Sequence, residues 1–213
     1  MEAVRRQAVL TFSRKNRARF EENFNILVSA MSKITKEEVG LDDSLTKDTR
    51  SAPVTYVNIL QHEDVTISMF VLRHKSSLPL HDHPLMHGVI KVVSGILEIQ
   101  NYSFVEDPSD IVRHRIVCAR KEIPKTVGVN DSPVILTPTN GNIHEITCTG
   151  HDGAAFVDVL APPYGSVLPN LGPRPCFYYF EVPDQPAHSE IVKFVKSQNH
   201  PEFWTDDAPY LGR

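Results

Sequence analysis

The chain has 213 residues, 41% of them hydrophobic and 23% charged, which is enough for one core of ordinary size in a water-soluble fold. A formal net charge of −4 excludes the basic excess that nucleic acid or an anionic membrane would require, so the expected partner is a small molecule or a peptide. The opening Met1-Glu2-Ala3-Val4-Arg5-Arg6 lacks the apolar stretch of a signal peptide, and no run is long enough to span a bilayer. Three cysteines, Cys118, Cys148 and Cys176, are too few and odd in number for a disulfide framework, so a cytoplasmic protein is expected.

The first periodic signal along the chain is helical. Phe20, Phe24, Leu27, Val28, Met31 and Ile34 recur at three- and four-residue spacing between charged positions, which predicts one amphipathic helix. Thr35-Lys36-Glu37-Glu38 is a second start signal, because hydroxyl and carboxylate can cap each other's backbone N–H groups, and Gly40 ends the turn. Residues 1–50 are therefore expected to form a helical cap on a core built by residues 51–213. From Val54 the pattern shortens to period two, as in Val65, Ile67, Met69 and Val71, with β-branched and aromatic residues between Gly, Pro, Asn and Asp breaks. The predicted strands are Val54 to Leu60, Val65 to Arg73, Gly88 to Val93, Ile96 to Phe104, Val112 to Ala119, Val134 to Thr137, Ile143 to Cys148, Ala155 to Leu160 and Cys176 to Val182. No helical crossovers separate them, so an all-β fold is expected, closed by antiparallel pairing into a small barrel or sandwich with few exposed edges.

The chemistry concentrates in Leu80-His81-Asp82-His83-Pro84. Two histidines two apart on an extended segment point to the same side of a sheet, which suits bidentate metal binding. Gly95 follows at the distance where a strand must turn back, and Gly141-Asn142-Ile143-His144 places a third histidine after a turn and into a strand. As an ordered pair, H-x-H and G-x-x-H are the two halves of a cupin metal motif. The glutamate that usually follows the second histidine is absent, since the stretch reads Leu85-Met86-His87-Gly88. Three neutral imidazoles, His81, His83 and His144, leave the full 2+ charge on the ion. That favours a thiolate and leaves positions open for O2, so Fe(II) is expected in preference to Zn or Mn. His87 is expected to pack or hydrogen-bond beside the site rather than to ligate.

Several stretches together resemble the cysteamine (2-aminoethanethiol) dioxygenase and plant cysteine oxidase family of thiol dioxygenases, over about Pro53 to Gly212. They are Val54-Thr55-Tyr56, Pro79 to Pro84 with Met86-His87-Gly88, Leu136-Thr137-Pro138 with Asn142-Ile143-His144, Asp158 to Tyr164, Cys176-Phe177-Tyr178-Tyr179, and Phe203-Trp204 with Pro209-Tyr210. The resemblance implies a cupin barrel, the double-stranded β-helix, holding Fe(II) through His81, His83 and His144 and adding both atoms of O2 to a thiol to give a sulfinate. It also implies roles near the iron for Asp158 and Tyr164, orienting the substrate amine or the oxygen. Two departures bear on pocket shape more than on chemistry: Leu85, where the family usually has glycine, and a slightly long Thr149-Gly150-His151-Asp152-Gly153.

Cys176 and Tyr178 stand two apart on a predicted strand and so share a face, close enough for a thioether link made by the iron's oxidative chemistry, which some members of the resembled family carry. No arginine lies within a metal-binding segment to clamp an α-carboxylate; Arg73 and Arg174 are the nearest. The expected substrate is an aminothiol without a free carboxylate, cysteamine or the N-terminal cysteine of a peptide, entering past a rim formed in part by the loop Pro162 to Pro175. Oxidation would change the charge of a peptide N-terminus at a rate set by O2, which makes oxygen sensing, by a monomer, the expected use. The competing readings are a non-catalytic cupin that binds a metal or small ligand, and a cupin isomerase or a dioxygenase acting on carbon. The missing glutamate and the Cys-x-Tyr pair weigh against the last two.

Overall fold

The computed structural model describes residues 1–47, 52–107, 113–168, 172–186 and 189–212. The expected boundary near residue 50 falls outside the described residues. Helix α1 (Glu2–Phe12) leads through a 3-10 turn, Arg14–Arg19, into α2 (Phe20–Met31), and a short α3 (Ser44–Lys47) precedes the strands. α2 carries the sequence periodicity, with Phe24, Leu27 and Met31 buried. α1 was not foreseen, since its buried face is only Val4, Ala8 and Thr11. Thr35 and Glu38 do cap each other, Thr35 N–H donating to Glu38 Oε2 at 3.2 Å and Glu38 N–H to Thr35 Oγ1 at 3.4 Å. The capped segment is nevertheless a single turn, because the chain turns over at Gly40, φ 64°.

The strands are β1 (Val54–Gln61), β2 (Thr66–Leu72), β3 (Ser77–Asp82), β4 (His87–Ser94), β5 (Ile96–Phe104), β6 (Ile116–Lys121), β7 (Lys125–Gly128), β8 (Val134–Leu136), β9 (Ile143–Cys148), β10 (Ala154–Ala161), β11 (Val167–Leu168), β12 (Gly172–Pro173), β13 (Tyr178–Glu181), β14 (Ile191–Ser197) and β15 (Thr205–Asp207). The run expected from Val112 begins outside the described residues, and the strand there starts at Ile116. β14, Ile191-Val192-Lys193-Phe194-Val195-Lys196-Ser197, was not foreseen, since its apolar residues come in adjacent pairs rather than in alternation. β15 is polar and is a strand only because it pairs with β1, in parallel.

One sheet runs β15-β1-β2-β10-β4-β8 and a second runs β6-β14-β13-β3-β9-β5-β7. β6 pairs with both β14 and β5, so the second sheet closes on itself and has fewer open edges. This is the double-stranded β-helix, the cupin fold. Gly95 makes the reversal from β4 to β5 at φ 73°, where an added Cβ would lie 2.3 Å from the Gly153 carbonyl oxygen.

Every residue of β10 is buried, because both faces of its sheet are covered. One face meets the helices: Val4, Ala8, Leu27 and Met31 share a cluster with Val57, Met69 and Val157. The alternate residues Phe70, Phe156 and Asp158 turn the other way, toward the second sheet, and line a cavity there. Leu27 is 0% exposed. Leu27→Ala should therefore cost about 2–5 kcal/mol of stability, read as a lower urea midpoint at unchanged slope. A loss below about 0.5 kcal/mol would mean that the helices are not part of the core.

Candidate metal centre

β3 and β9 are neighbours, and His81 is directly opposite His144 in their register. His83 lies just beyond β3 and is held by its backbone. Its N–H donates to Asn142 Oδ1 at 3.2 Å, while Asn142 Nδ2 donates to the His83 carbonyl at 2.7 Å and to the Thr137 carbonyl at 3.0 Å. Asn142 is fully buried, and its place in Gly141-Asn142-Ile143-His144 does not reveal that role. Among the described residues, His81, His83 and His144 form a group whose ligand nitrogens all lie within 4.8 Å of one another, and the group contains no carboxylate.

All three imidazoles are held neutral. Burial pushes His81 down to about 4, and burial together with the neighbouring histidines takes His83 and His144 well below the ordinary value. His81 Nδ1 is 2.8 Å from the Pro79 carbonyl, which fixes the proton on Nδ1 and leaves Nε2 as a lone pair. The Tyr164 hydroxyl donates to the Asp82 carbonyl and sits 2.7 Å from His83 Nδ1. Its only proton being used, it accepts from His83 Nδ1–H, so His83 Nε2 is also a lone pair. His83 Nε2 faces His144 Nε2 at 2.9 Å. Two nitrogens about 2.1 Å from one ion at a right angle stand about 3.0 Å apart, so the residues present fit a metal. Tyr164→Phe should weaken metal binding about 10- to 100-fold in a chelator competition, and unchanged affinity would deny the hydroxyl this role.

The side chain between the two motif histidines points the other way. Asp82 accepts from Phe177 N–H at 2.9 Å and from the Tyr179 hydroxyl at 2.6 Å, tying β3 to the segment that enters β13. Burial lifts its carboxyl to about 7 against those two hydrogen bonds.

The three histidines open into a cavity of about 230 Å³ between the sheets. Its walls are largely apolar: Phe70 and Phe156 stack at 5.2 Å, and Leu78, Ile146 and Leu160 complete them. Asp158, Tyr164, Cys176 and Tyr178 all line it, so every candidate site residue read from the sequence is brought to one place. Asp158 Oδ1 is buried without a hydrogen-bond partner among the described residues, and burial lifts its carboxyl to about 8. Cys176 is not on the strand, which begins at Tyr178. It sits beside the Tyr164 hydroxyl, and burial, with Asp82 nearby, pushes its thiol up to about 12. Tyr56, Phe203 and Thr205 also line the cavity, and the sequence reading gave none of them a place at the site.

The PCO_ADO family model matches residues 23–211. The chain belongs to the PCO_ADO family. A 2-aminoethanethiol dioxygenase of Mus musculus is 29% identical over 254 residues, covering 100% of this chain and 94% of that protein. Plant cysteine oxidase 2 of Arabidopsis thaliana is 29% identical over 169 residues, covering 76% of this chain and 59% of that protein. Among solved structures, a double-stranded β-helix protein of Klebsiella pneumoniae is 17% identical with a TM-score of 0.42, over 57% of this chain and 83% of that one. The PCO_ADO match begins inside α2 rather than at Pro53, so most of that helix belongs to it.

The remaining expectations for this PCO_ADO chain divide. His87 packs among the rings of Phe12, Phe20 and Phe24, with centroids 6.4, 5.0 and 6.0 Å away, and is outside the histidine group. Arg73 pairs with Asp206 at 4.0 Å, and Arg174 donates to the Pro84 carbonyl behind the motif; neither lines the cavity. Of the loop Pro162 to Pro175, expected to form part of the rim, Tyr164 lines the cavity. Pro162, Ser166, Val167 and Arg174 line a different cleft with Arg17 and Glu63, and residues 169–171 lie outside the described residues. Phe203 and Thr205 border the cavity as well, because β15 docks on β1. Leu85 is the third residue of a turn closed by Met86 N–H donating to the His83 carbonyl at 3.0 Å, and its φ is 54°. Glycine meets that angle without strain, which is the physical content of the family's preference there. Neither Leu85 nor the stretch Thr149 to Gly153 borders the cavity.

Proposed function

We propose that the chain is an Fe(II)-dependent thiol dioxygenase that converts R–SH and O2 to the sulfinic acid R–SO2H, acting on cysteamine and on the N-terminal cysteine of peptides. The observation that carries this reading is one small cavity holding three neutral histidines, an unpartnered carboxylate and, among the described residues, no lysine or arginine in its lining. The curated relatives, named for 2-aminoethanethiol and cysteine oxidation, support it.

His81, His83 and His144 hold the iron, which supplies the one-electron chemistry that lets O2 react with a thiol. Asp158 takes the substrate amine: an incoming ammonium gives the buried carboxyl its missing counter-charge and draws it to the ionised form. The aromatic and aliphatic walls exclude water around that pair, which strengthens it. A free α-carboxylate finds no lysine or arginine in the lining and lies near a like charge on Asp158, so free cysteine is disfavoured. Tyr164 keeps His83 in the ligating tautomer, and a thioether link between Cys176 and Tyr178, which both line the cavity, is part of this reading. A sulfinate at a peptide's N-terminus is a charge change that other proteins can read. Oxygen sensing by a cytoplasmic monomer is therefore the cellular role proposed; no helix among the described residues is long and apolar enough to cross a membrane.

The deciding experiment offers free cysteine, cysteamine and a Cys-initiated peptide to the iron-loaded protein at matched concentrations and reads the gain of two oxygens by mass spectrometry. Cysteamine and the peptide should gain them with the higher kcat/KM. If free cysteine is the best substrate, the proposed selectivity is wrong; if no thiol gains oxygen, so is the activity. The same spectra report a Cys176–Tyr178 link as an intact mass lower by two hydrogens, absent from Cys176→Ser.

A further inference from the structure

A second cleft, of about 480 Å³, lies beside the metal cavity, and the two share the lining residue Phe203. On the cavity side of that wall stands Tyr178, with its ring 6.1 Å from Phe203 and 5.7 Å from His200, which lines the cleft. The strands beneath are common to both. On β3, Leu78 lines the cavity and Ser77 the cleft; on β9, His144 lines the cavity and Glu145 the cleft. Period-two alternation puts the two sites on opposite faces of one sheet, near the chain segment around residue 203.

The charge of the cleft is uneven. Arg73 is set against Asp206 at 4.0 Å, and Lys75 is exposed at the rim. Glu145, half-buried, and Glu202, exposed, face the same space, so with Arg73 set against Asp206 the two carboxylates stand against Lys75, with His74 and His200 also in the lining. Trp204, between Phe203 and Thr205, is 50% exposed.

We propose that this cleft receives the residues that follow the N-terminal cysteine of a peptide substrate, with Glu145 and Glu202 holding a lysine or arginine side chain from its second to fourth position. The proposal rests on the thiol dioxygenase reading and takes it one step further, to which peptides are preferred. An extended peptide advances about 3.3 Å per residue, and Phe203, which walls both the cavity and the cleft, is the residue such a chain would pass.

The test walks a lysine or a glutamate through positions two, three and four of an otherwise neutral Cys-initiated peptide. It measures kcat/KM for the gain of two oxygens, and anaerobic binding by the fluorescence of Trp204, the chain's only tryptophan. Lysine should be preferred over glutamate by about three- to tenfold in at least one position, the worth of a partly buried ion pair. The ratio should fall toward unity in Glu145→Gln and invert in Glu202→Lys; because it is taken within each variant, a general loss of activity cancels. Equal ratios at all three positions, or a preference that survives both variants, would overturn the assignment. Failure of every peptide to gain oxygen would instead remove the activity on which it rests, and the anaerobic titration would still decide the cleft.

Discussion

Alanine at His83 is expected to strip the metal from the protein and to lower thiol oxidation by more than about 100-fold, beyond the range typical of groups that only orient a ligand. The same holds for His81 and His144, since each supplies one of the three neutral nitrogens that converge within 4.8 Å. Two imidazoles alone make a weak chelate, so they should not retain the ion through dialysis. Metal analysis checks this directly. Thermal unfolding adds an independent reading: an ion that binds only the folded chain raises Tm in the wild type and not in His83→Ala. His87→Ala is the contrast. Its ring packs against Phe20 at 5.0 Å, so that variant should lose stability where the helices meet the barrel and keep its metal. If His144→Ala kept metal and turnover while His87→Ala lost both, the ligand set would be wrong.

Asp158→Asn is expected to lower kcat/KM for cysteamine about 10- to 150-fold, the worth of one hydrogen bond to a charged group. A thiol of similar size without an amine should lose far less. The same variant has an opposite effect on stability in the metal-free protein. Burial lifts the Asp158 carboxyl from 3.8 to about 8, so the folded chain holds this proton more tightly than the unfolded chain. At a pH below about 4 both states are protonated and the stabilisation is fully present. Between about 4 and about 8 the unfolded state ionises first, and stability declines as pH rises, until above 8 the folded state carries an ionised buried group. Asparagine avoids that penalty. Asp158→Asn should thus raise the apo Tm clearly at pH 9 and little at pH 5. An equal shift at both would show that the carboxyl is ionised throughout and has a partner.

The histidines were legible because metal binding by H-x-H depends on local geometry. Two residues on an extended segment share a face whatever the rest of the chain does, and the two motif halves are recognisable wherever they fall. Asp158 was legible as a site residue through the resemblance, and its direction followed from alternation along β10 once Val157 and Val159 were buried against the helices. α1 was not legible, because Val4, Ala8 and Thr11 make a narrow face among charged residues, and only the sheet beneath them makes it a packing surface. The sequence alone determined the three histidines that could hold a metal and the absence of a carboxylate among them. Tertiary structure alone decided that Asn142 grips the His83 backbone, that Tyr164 sets its tautomer and that Phe203 and Thr205 wall the cavity. Those contacts join residues 59, 81 and more than a hundred positions apart. They depend on which strands become neighbours, a choice made by sheet closure and shared burial rather than by any window of the chain.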